Sequence, residues 1–388
     1  MATTPPRLPH DTTRPPACSW RGLLIDSART FWPLPAMELL ITIMARYRFN
    51  VLHWHLTDNA GWRMRVPGYP MLTAVGGNIP RQPLDWYDTE CAPGRKASWR
   101  LTPAHSSQGF YSDTNIRHLV NFAAERDIRI VPEISIPSHA GAAIRAYPHL
   151  GNPDLVKEAT HRDNHTLWPS ASSLSFIEAA FHHACTLFPS PTIHIGAAST
   201  DWTPWESDSS LMRSGHTSGA AIERLFIDRA LHTLHFHGRR AAAWDTITRA
   251  YPSPSPGTIL LAHRPGDAGR QAAESSGAPW VLADADTLCL SHPGRDNGSP
   301  ERSRDLSEHL TKALHGERLK GVEAVAWSSQ ITTPDLLFYH LLPRLLVVAE
   351  AAWHGEDSLS WNKLAPLVEH EMAHLQRAVP YWNPQRPQ

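Results

Sequence analysis

Eight short apolar runs, separated by segments of helical spacing, constrain the fold of this chain more than any other feature. The runs span 21–26, 49–56, 128–134, 192–196, 241–245, 258–263, 279–283 and 322–327. The helical segments span 37–48, 114–126, 171–188, 219–236, a short stretch from 269, 305–317 and 334–352. Strands that are buried on both faces and joined by right-handed crossovers close most readily into a (β/α)8 TIM barrel, which is the α/β fold that we predict.

An open doubly wound sheet is the alternative fold for such an alternation. That fold normally carries a glycine-rich phosphate-binding loop after its first strand. Here the first run continues as Ile25-Asp26-Ser27-Ala28-Arg29, which contains no glycine. The barrel is therefore favoured over the open sheet.

The predicted barrel occupies residues 20–388 as a single domain. Residues 1–19 are rich in proline and threonine, and we predict that they form a flexible N-terminal arm. A long polar loop over 76–110 follows the second strand, and loops of that length commonly build sites.

Composition restricts the possible partners. The 388 residues carry a formal net charge of -1 and no basic block, so we expect neither nucleic acid nor an anionic membrane as a partner. No apolar run reaches the roughly 18 residues of a membrane span, and the first residues lack the apolar core of a signal peptide. We therefore expect a cytoplasmic protein that binds a small molecule or carbohydrate; the sequence specifies no oligomeric state.

The fourth strand ends in an unusual loop. Gly196 is followed by Ala197, Ala198 and Ser199, and the first carboxylate after the strand is Asp201. Loops that follow barrel strands carry the catalytic groups of such folds. The tip of this loop offers a hydroxyl where a carboxylate would be usual.

A series of motifs stands in a fixed order along the chain, and together they resemble the catalytic domain of one enzyme family. The motifs are Arg21-Gly-Leu-Leu-Ile-Asp-Ser-Ala-Arg29, Asn50-Val-Leu-His-Trp-His-Leu-Thr-Asp58, Gly61-Trp-Arg63, Val131-Pro-Glu-Ile134, Pro137-Ser-His139, His194-Ile-Gly196, Trp244-Asp245, Ala326-Trp-Ser328 and Pro343-Arg344 through Trp353. From about residue 20 to 385 the chain is similar to the β-N-acetylhexosaminidases of glycoside hydrolase family 20.

The resemblance implies a chemistry and a set of positions. In this family the 2-acetamido oxygen of the sugar attacks the anomeric carbon, an exception to the usual two-carboxylate scheme. A neighbouring Asp–Glu pair orients the acetamido group and protonates the leaving oxygen. The resemblance places this pair at Ala198 and Ser199, so both acids are replaced.

The resemblance also assigns roles to residues that this chain retains. Arg29 corresponds to the arginine that binds ring hydroxyls, and Asp58 and His139 correspond to the pair that supports the acid. Trp244 and Trp327 correspond to walls of the sugar pocket.

Four further positions depart from the family pattern. Ser135 stands in place of an Asp, His263 in place of a Trp, Leu288 in place of the acetamido-binding Tyr, and Ser329 in place of the Glu that holds sugar hydroxyls. We include His263 and Ser329 among the candidate substrate-binding residues. The sequence does not decide whether an N-acetyl group is recognised, since Ala198 and Leu288 supply neither the acceptor nor the donor that the family uses for it.

These replacements leave three functional hypotheses. The first is altered catalysis on a hexosamine-like or glycosylated small molecule by Asp58 and His139, with Ser199 completing the order of a nucleophilic triad. Serine is shorter than glutamate, so the Oγ of Ser199 is expected to fall about 2 Å short of a hydrogen bond to His139. A second form of this hypothesis needs no serine nucleophile and uses His139 alone as the general acid or base.

The other two hypotheses assume the same barrel and sugar pocket but a different function. One is a catalytically silent carbohydrate-binding protein that recognises a hexosamine-like ligand. The other is a hexosaminidase in which a displaced acid, Asp201 or Glu206, replaces the missing one. Separately, Asp58 and His139 can also be interpreted as a structural polar pair.

A metal site or cofactor is not predicted. His53, His55, Asp58, His139 and His263 can be imagined near one another, but no acidic cluster accompanies them. The four cysteines are far apart and indicate neither a zinc site nor a disulfide framework. The aspartates at 245, 284 and 286 follow strands and are interpreted as loop caps or as partners of helix N-termini.

Overall fold

A closed barrel of eight parallel strands forms the centre of the molecule. The computed structural model describes residues 8–78, 107–154, 165–213, 217–291, 300–329 and 331–378. Each strand pairs with the next, and the last pairs with the first. The strands are β1 (Trp20–Asp26), β2 (Val51–Thr57), β3 (Arg129–Ile136), β4 (Thr192–Gly196), β5 (Arg240–Trp244), β6 (Ile259–Ala262), β7 (Trp280–Leu282) and β8 (Leu319–Ala326). The predicted (β/α)8 fold is confirmed.

Helices surround this barrel and connect its strands. In the described residues they are α1 (Leu34–Arg46), α2 (Met71–Ala74), α3 (Asp113–Ala124), α4 (Gly141–Ala146), α5 (Ala171–Leu187), α6 (Thr203–Glu206), α7 (Ser209–Arg213), α8 (Gly219–Phe236), α9 (Ala268–Ser276), α10 (Pro300–Ala313), α11 (Pro334–Leu341), α12 (Arg344–His354) and α13 (Trp361–Ala378). Most bounds lie within a few residues of those predicted.

The predicted helix over 334–352 is wrong as a single element. It is divided into α11 and α12, with Leu342 and Pro343 between them. Proline has no amide hydrogen to continue the helical ladder, and its ring crowds the preceding turn. Helix α10 begins five residues before its predicted start at 305, and α13 is an element that the sequence analysis does not assign. Of the predicted loop over 76–110, residues 79–106 lie outside the described part of the chain.

Each strand is buried on both faces. Outward-facing residues such as Leu23, Ile25 and Trp54 pack in the large apolar cluster between the sheet and the helices. The alternate residues face the barrel interior, where a smaller apolar cluster includes Leu24, Val131 and other strand residues. This burial on both sides explains the nearly continuous apolar runs in the sequence.

The segment preceding β1 contacts the last helices of the barrel. Leu8 is 1% exposed, and the amide of Ala17 donates to the carbonyl of Trp353 at 2.8 Å. Nδ1 of His10 lies 2.6 Å from a carboxylate oxygen of the buried Glu350 on α12. The structure therefore holds the described part of the predicted flexible arm against α12, because a buried carboxylate there needs polar partners.

Within the described helices, none alone has the length and apolar character of a membrane span. Helix α11 and the segment 344–357 pass that test only as a pair, with a bend of 48° between them.

We predict that barrel closure depends on Gly321. A Cβ at this position, where φ is +152°, would lie 1.8 Å from the carbonyl oxygen of Trp20 on the neighbouring β1. Gly321→Ala should lower the free energy of unfolding by about 3 kcal/mol or more, since the backbone of β1 cannot yield without losing the β1–β8 pairing.

Gly238→Ala is the matched control for this prediction. Its φ is +65° and a Cβ there meets nothing within 4 Å, so only the cost of the left-handed backbone, about 1 kcal/mol, is expected. Denaturant unfolding of both variants gives the two values. Equal losses would show that the close approach to Trp20 does not govern closure.

Candidate active site

A cavity of about 410 Å³ lies at the carboxyl end of the barrel. This volume suits a small ligand such as a sugar. Every strand contributes to its wall. Arg29 follows β1, His55 and Asp58 come from the end of β2, Glu133, Ser135 and His139 from the end of β3, Ala198 and Ser199 follow β4, Trp244 ends β5, His263 follows β6, Ala285 follows β7 and Trp327 follows β8.

The structure brings together most of the residues singled out from the sequence. Seven of them line this cavity: Arg29, Asp58, His139, Ser199, Trp244, His263 and Trp327. Ser329 is buried and lies outside the described cavity lining.

Arg29 is fixed between two carboxylates. Its Nη1 lies 3.0 Å from Oδ2 of Asp26, and its Nη2 lies 3.0 Å from Oδ2 of Asp58. The guanidinium also lies 5.2 Å from the ring of Trp327. Asp26 in turn accepts the amide of Arg29 itself at 3.0 Å. The arginine is therefore held in one orientation at the cavity wall, linking the ends of β1, β2 and β8.

Asp58 is the point at which three basic groups meet. Its Oδ2 lies 2.8 Å from Nε2 of His55 and 3.3 Å from Nδ1 of His139. Burial would raise the pKa of Asp58, but the charges of Arg29 and His139 hold it well below its usual value. Asp58 is therefore an ionised carboxylate at neutral pH, with His139 beside it at the cavity.

A continuous row of alternating acids and histidines runs from Asp58 into the barrel interior. Nδ1 of His55 lies 2.6 Å from Glu133, Nε2 of His53 lies 3.1 Å from the same carboxylate, and Nδ1 of His53 lies 2.7 Å from Glu323. We call Glu323, His53, Glu133, His55 and Asp58 the acid–histidine row. All five side chains are at most 2% exposed.

The surrounding carboxylates favour the imidazolium form of both histidines of the row. Both nitrogens of His55 and Nδ1 of His53 are hydrogen-bonded to carboxylate oxygens, which only accept hydrogen bonds when ionised, and Nε2 of His53 lies 3.1 Å from Glu133. Burial opposes this charge, but Glu323 raises the pKa of His53 to about 9, and Glu133 raises that of His55 to about 10. Burial would also raise the pKa of Glu133, which His55 instead keeps well below its usual value.

Two donors outside the row complete the shell of Glu133. Nε1 of Trp244 donates to its Oε1 at 2.8 Å, and the hydroxyl of Ser135 donates to the same oxygen at 3.2 Å. Glu133 thereby connects the interior of the barrel to the tryptophan at the end of β5.

His194 has the opposite character from its neighbours. Its Nδ1 accepts the amide of Gly196 at 3.1 Å, and burial lowers its pKa to about 4, so the ring is neutral. The donor atoms of His53, Glu133 and His194 lie within 4.8 Å of one another, as do those of His10, Glu350 and His354. While His53 is protonated it has no lone pair for a metal ion.

Three aromatic rings, from Trp244, His263 and Trp327, form one side of the cavity, and we call them the aromatic wall. Their ring centroids are 4.9, 5.7 and 6.0 Å apart. Asp245 accepts the backbone amide of His263 at 2.7 Å and pairs with the side chain of Arg264. It therefore caps this loop, as the sequence analysis predicts.

The loop after β4 is held by its backbone. Gly196 has a φ of +74°, and a Cβ there would lie 2.7 Å from the Cα of Ser135. The carbonyl of Ala197 accepts from the hydroxyl of Thr246 at 2.8 Å, and that of Ala198 accepts from the hydroxyl of Ser138 at 3.0 Å. Neighbouring loops thus hold the backbone of this one, and the buried hydroxyl of Thr200 adds a hydrogen bond to Glu223 at 2.8 Å.

Ser199 lies at the cavity but does not join the Asp58–His139 pair. Its side chain is exposed, and among the residues that the structure describes no hydrogen bond links it to His139. This agrees with the short reach of serine noted from the sequence.

The two candidate displaced acids are engaged elsewhere. Asp201 is exposed and accepts the amide of Thr203 at 2.9 Å. Glu206 is also exposed and accepts the amide of Gly219 at 2.9 Å. The described lining of the cavity includes neither carboxylate.

Sequence reasoning gave no role to Glu133, His55 or Asp26, although these residues determine the charge state of the site. The sequence feature that could have identified them is the two-residue period of the strands. This period places His53 and His55 of β2 on one face, and the register sets His55 opposite both Asp26 and Glu133.

Comparison with known proteins identifies what this arrangement resembles. Residues 18–356 match the family model described as glycosyl hydrolase family 20, catalytic domain. A beta-hexosaminidase of Akkermansia muciniphila is 28% identical over 388 residues, covering 94% of this chain and 74% of that protein. A beta-hexosaminidase of Vibrio furnissii is 27% identical over 356 residues, covering 86% of this chain and 56% of that protein.

Solved structures share the architecture. The crystal structure of an exo β-N-acetylglucosaminidase of Vibrio harveyi, in complex with N-acetylglucosamine, superposes with a TM-score of 0.80 at 26% identity. The alignment covers 96% of this chain and 60% of that one.

We predict that the acid–histidine row makes stability fall at alkaline pH. The pKa values of His53 and His55 are raised above the unfolded value of about 6.5, so the stability from their charges is complete below that pH. It is lost as pH rises towards their folded values of about 9 and 10. Thermal unfolding of the wild type should therefore occur at lower temperature at pH 10 than at pH 6.5.

His55→Gln tests this origin. The variant should be less stable at pH 6.5, because Glu133 and Asp58 lose a cation, and its further decline up to pH 10 should be smaller than that of the wild type. His232→Gln, a change of an exposed histidine on α8, is the control and should retain the full decline. An unchanged decline in His55→Gln would mean that other groups cause the alkaline loss.

Proposed function

The chain belongs to glycosyl hydrolase family 20, and we propose that it binds a carbohydrate at the carboxyl end of its barrel and acts on it through Asp58 and His139. The proposed ligand is a hexosamine-like sugar or a glycosylated small molecule. The proposed reaction does not use the Asp–Glu pair of the family.

One observation carries this proposal: Oδ2 of Asp58 and Nδ1 of His139 lie 3.3 Å apart in a cavity of about 410 Å³ with an aromatic wall. Arg29 and His55 keep Asp58 ionised and oriented. Flat aromatic faces are suited to packing against the apolar face of a sugar ring.

The loop after β4 and the relatives give further support. Ala198 and Ser199, the positions that we assign to the catalytic acids of the family, line the cavity and carry no carboxyl group. The relatives from Akkermansia muciniphila and Vibrio furnissii are beta-hexosaminidases, and the Vibrio harveyi structure holds N-acetylglucosamine. A sugar-sized ligand with altered chemistry accounts for both facts.

His139 is the proposed acid–base group. With its Nδ1 3.3 Å from Asp58, the imidazole of His139 is the group that exchanges a proton with the ligand. It accepts a proton from a ligand hydroxyl or from water and returns it to the leaving group. The neighbouring carboxylate of Asp58 stabilises the imidazolium that forms between these steps. Ser199 stays a candidate nucleophile that must move towards His139 to take part.

A catalytically silent carbohydrate-binding protein is the second candidate. The observation that favours it is the exposed, unbonded position of Ser199 relative to His139. Retained hexosaminidase activity through Asp201 or Glu206 has less support, because both carboxylates bond to backbone amides away from the described cavity lining.

A hydrolysis assay with an aryl N-acetyl-β-glucosaminide separates these candidates. We expect negligible turnover by the wild type, and a rise of roughly 100-fold or more in the double variant Ala198→Asp/Ser199→Glu, since a general acid contributes about 10²–10⁴ to such rates. Asp201→Ala and Glu206→Ala are the controls. Wild-type turnover that disappears in either control would instead establish a displaced acid.

His139→Gln distinguishes altered catalysis from silent binding. In a panel of aryl β-glycosides that differ at carbon 2, any glycoside that the wild type cleaves should be cleaved roughly 100-fold more slowly by this variant, with little change in its Kd. Trp327→Ala should instead weaken binding in calorimetry. Undiminished turnover in His139→Gln would remove the histidine from the reaction, and binding without turnover across the panel would favour the silent protein.

A further inference from the structure

A second group of polar side chains lies where the segment preceding β1 contacts α12. It consists of His10, Glu350 and His354, and one donor atom from each lies within 4.8 Å of the other two. The described lining of the cavity at the carboxyl end of the barrel includes none of the three. His10 instead borders a second cavity, of about 640 Å³, between its own segment, α1 and α13. The group therefore belongs to a different place in the fold.

Helix α12 presents two of these side chains on one face. Glu350 and His354 are four residues apart, and residues at that spacing are neighbours on the surface of an α-helix. The same spacing brings two ligands to one zinc ion in the helices of metalloproteases. His354 is also the last residue of α12, where the negative end of the helix dipole favours a cation.

The carboxylate of Glu350 is buried, and its charged partners are imidazoles. Its side chain is 1% exposed, and among the residues that the structure describes its ion pairs are with His10 and His354. Nδ1 of His10 lies 2.6 Å from one carboxylate oxygen, whereas Nε2 of His354 lies 3.9 Å from the other. A buried carboxylate needs a positive charge beside it, and a divalent cation supplies one.

Nε2 of His354 is a buried nitrogen that lacks a hydrogen bond within the described part of the chain. Its side chain is only 8% exposed, and the 3.9 Å to Glu350 is too long for a hydrogen bond. A polar atom buried in this way is costly. A neutral imidazole presents a lone pair at one of its nitrogens, so an ion between His354 and Glu350 would satisfy both groups.

The distances suit an ion shared by the three side chains. Zinc lies about 2.0–2.2 Å from imidazole nitrogen and carboxylate oxygen, so two ligand atoms of a tetrahedral ion are about 3.4 Å apart. The observed 2.6 and 3.9 Å lie on either side of this value. The two imidazole rings are stacked, with centroids 4.1 Å apart, so one must turn to face a common ion. His10 can turn, because its side chain is 28% exposed.

We propose that His10, Glu350 and His354 bind a zinc ion. Two imidazoles and one carboxylate suit zinc, whereas Ca²⁺ and Mg²⁺ prefer oxygen ligands alone. Three protein ligands leave the fourth position of the ion to water. The ion fastens the segment preceding β1 to α12, and so joins residues that are 340 positions apart in a chain for which the sequence analysis predicts no metal site. This inference goes beyond the proposed function and does not depend on it.

Calorimetric titration with Zn²⁺, after removal of metal with EDTA, tests the proposal. The wild type should bind one ion at this site. His354→Gln should bind it roughly 100-fold more weakly or worse, since the loss even of a group that supports a ligand costs 10- to 100-fold. His10→Gln should weaken binding similarly, and this change in the segment preceding β1 leaves the barrel core intact. His237→Gln is the matched control, because His237 pairs with another imidazole, that of His182, at 2.9 Å on the surface.

Thermal unfolding and Co²⁺ spectra give independent readouts. Zn²⁺ at 100 times its Kd should raise the Tm of the wild type by about 3 °C and leave that of His10→Gln nearly unchanged. Co²⁺ should give the visible absorption of a four-coordinate ion in the wild type and in His237→Gln, but not in His10→Gln. Equal Zn²⁺ affinity in the wild type, His10→Gln and His354→Gln, or a loss confined to His237→Gln, would overturn the site. Neither result would affect the proposed sugar binding.

Discussion

The site depends on the compensation of buried charge within the acid–histidine row. An isolated carboxylate in the barrel interior would be costly, and removal of one partner from a buried pair typically costs about 3–5 kcal/mol. Here Glu323, Glu133 and Asp58 alternate with the imidazolium ions of His53 and His55. The arrangement keeps Asp58 ionised at the cavity and connects that carboxylate to side chains of β2, β3 and β8.

The geometry of the barrel places the end of this row beside the other residues of the site. Parallel strands end at the same side of the barrel, so residues far apart in the chain meet there. Arg29 joins the end of β1 to Asp58 and Trp327, and Trp244 joins β5 to Glu133. The acid–histidine row and the aromatic wall are therefore connected by direct contacts.

The loop after β4 is held largely by contacts to its backbone. Gly196 is required by its close approach to β3, and hydroxyls of Thr246 and Ser138 bind the carbonyls of Ala197 and Ala198. The backbone course is fixed by these contacts. Ala198 and Ser199 line the cavity, and these hydrogen bonds use none of their side-chain atoms.

The sequence by itself determined the barrel and most of its strand bounds, because double-sided burial leaves continuous apolar runs. Through local motifs it also located Arg29, Asp58, His139, Trp244, His263 and Trp327 at strand ends, all of which line the cavity. Tertiary structure alone decided the contacts of the segment preceding β1, the protonation of His53 and His55, and the bond between His263 and Trp327. These features depend on distances between residues remote in sequence, and no local pattern of residues encodes such distances.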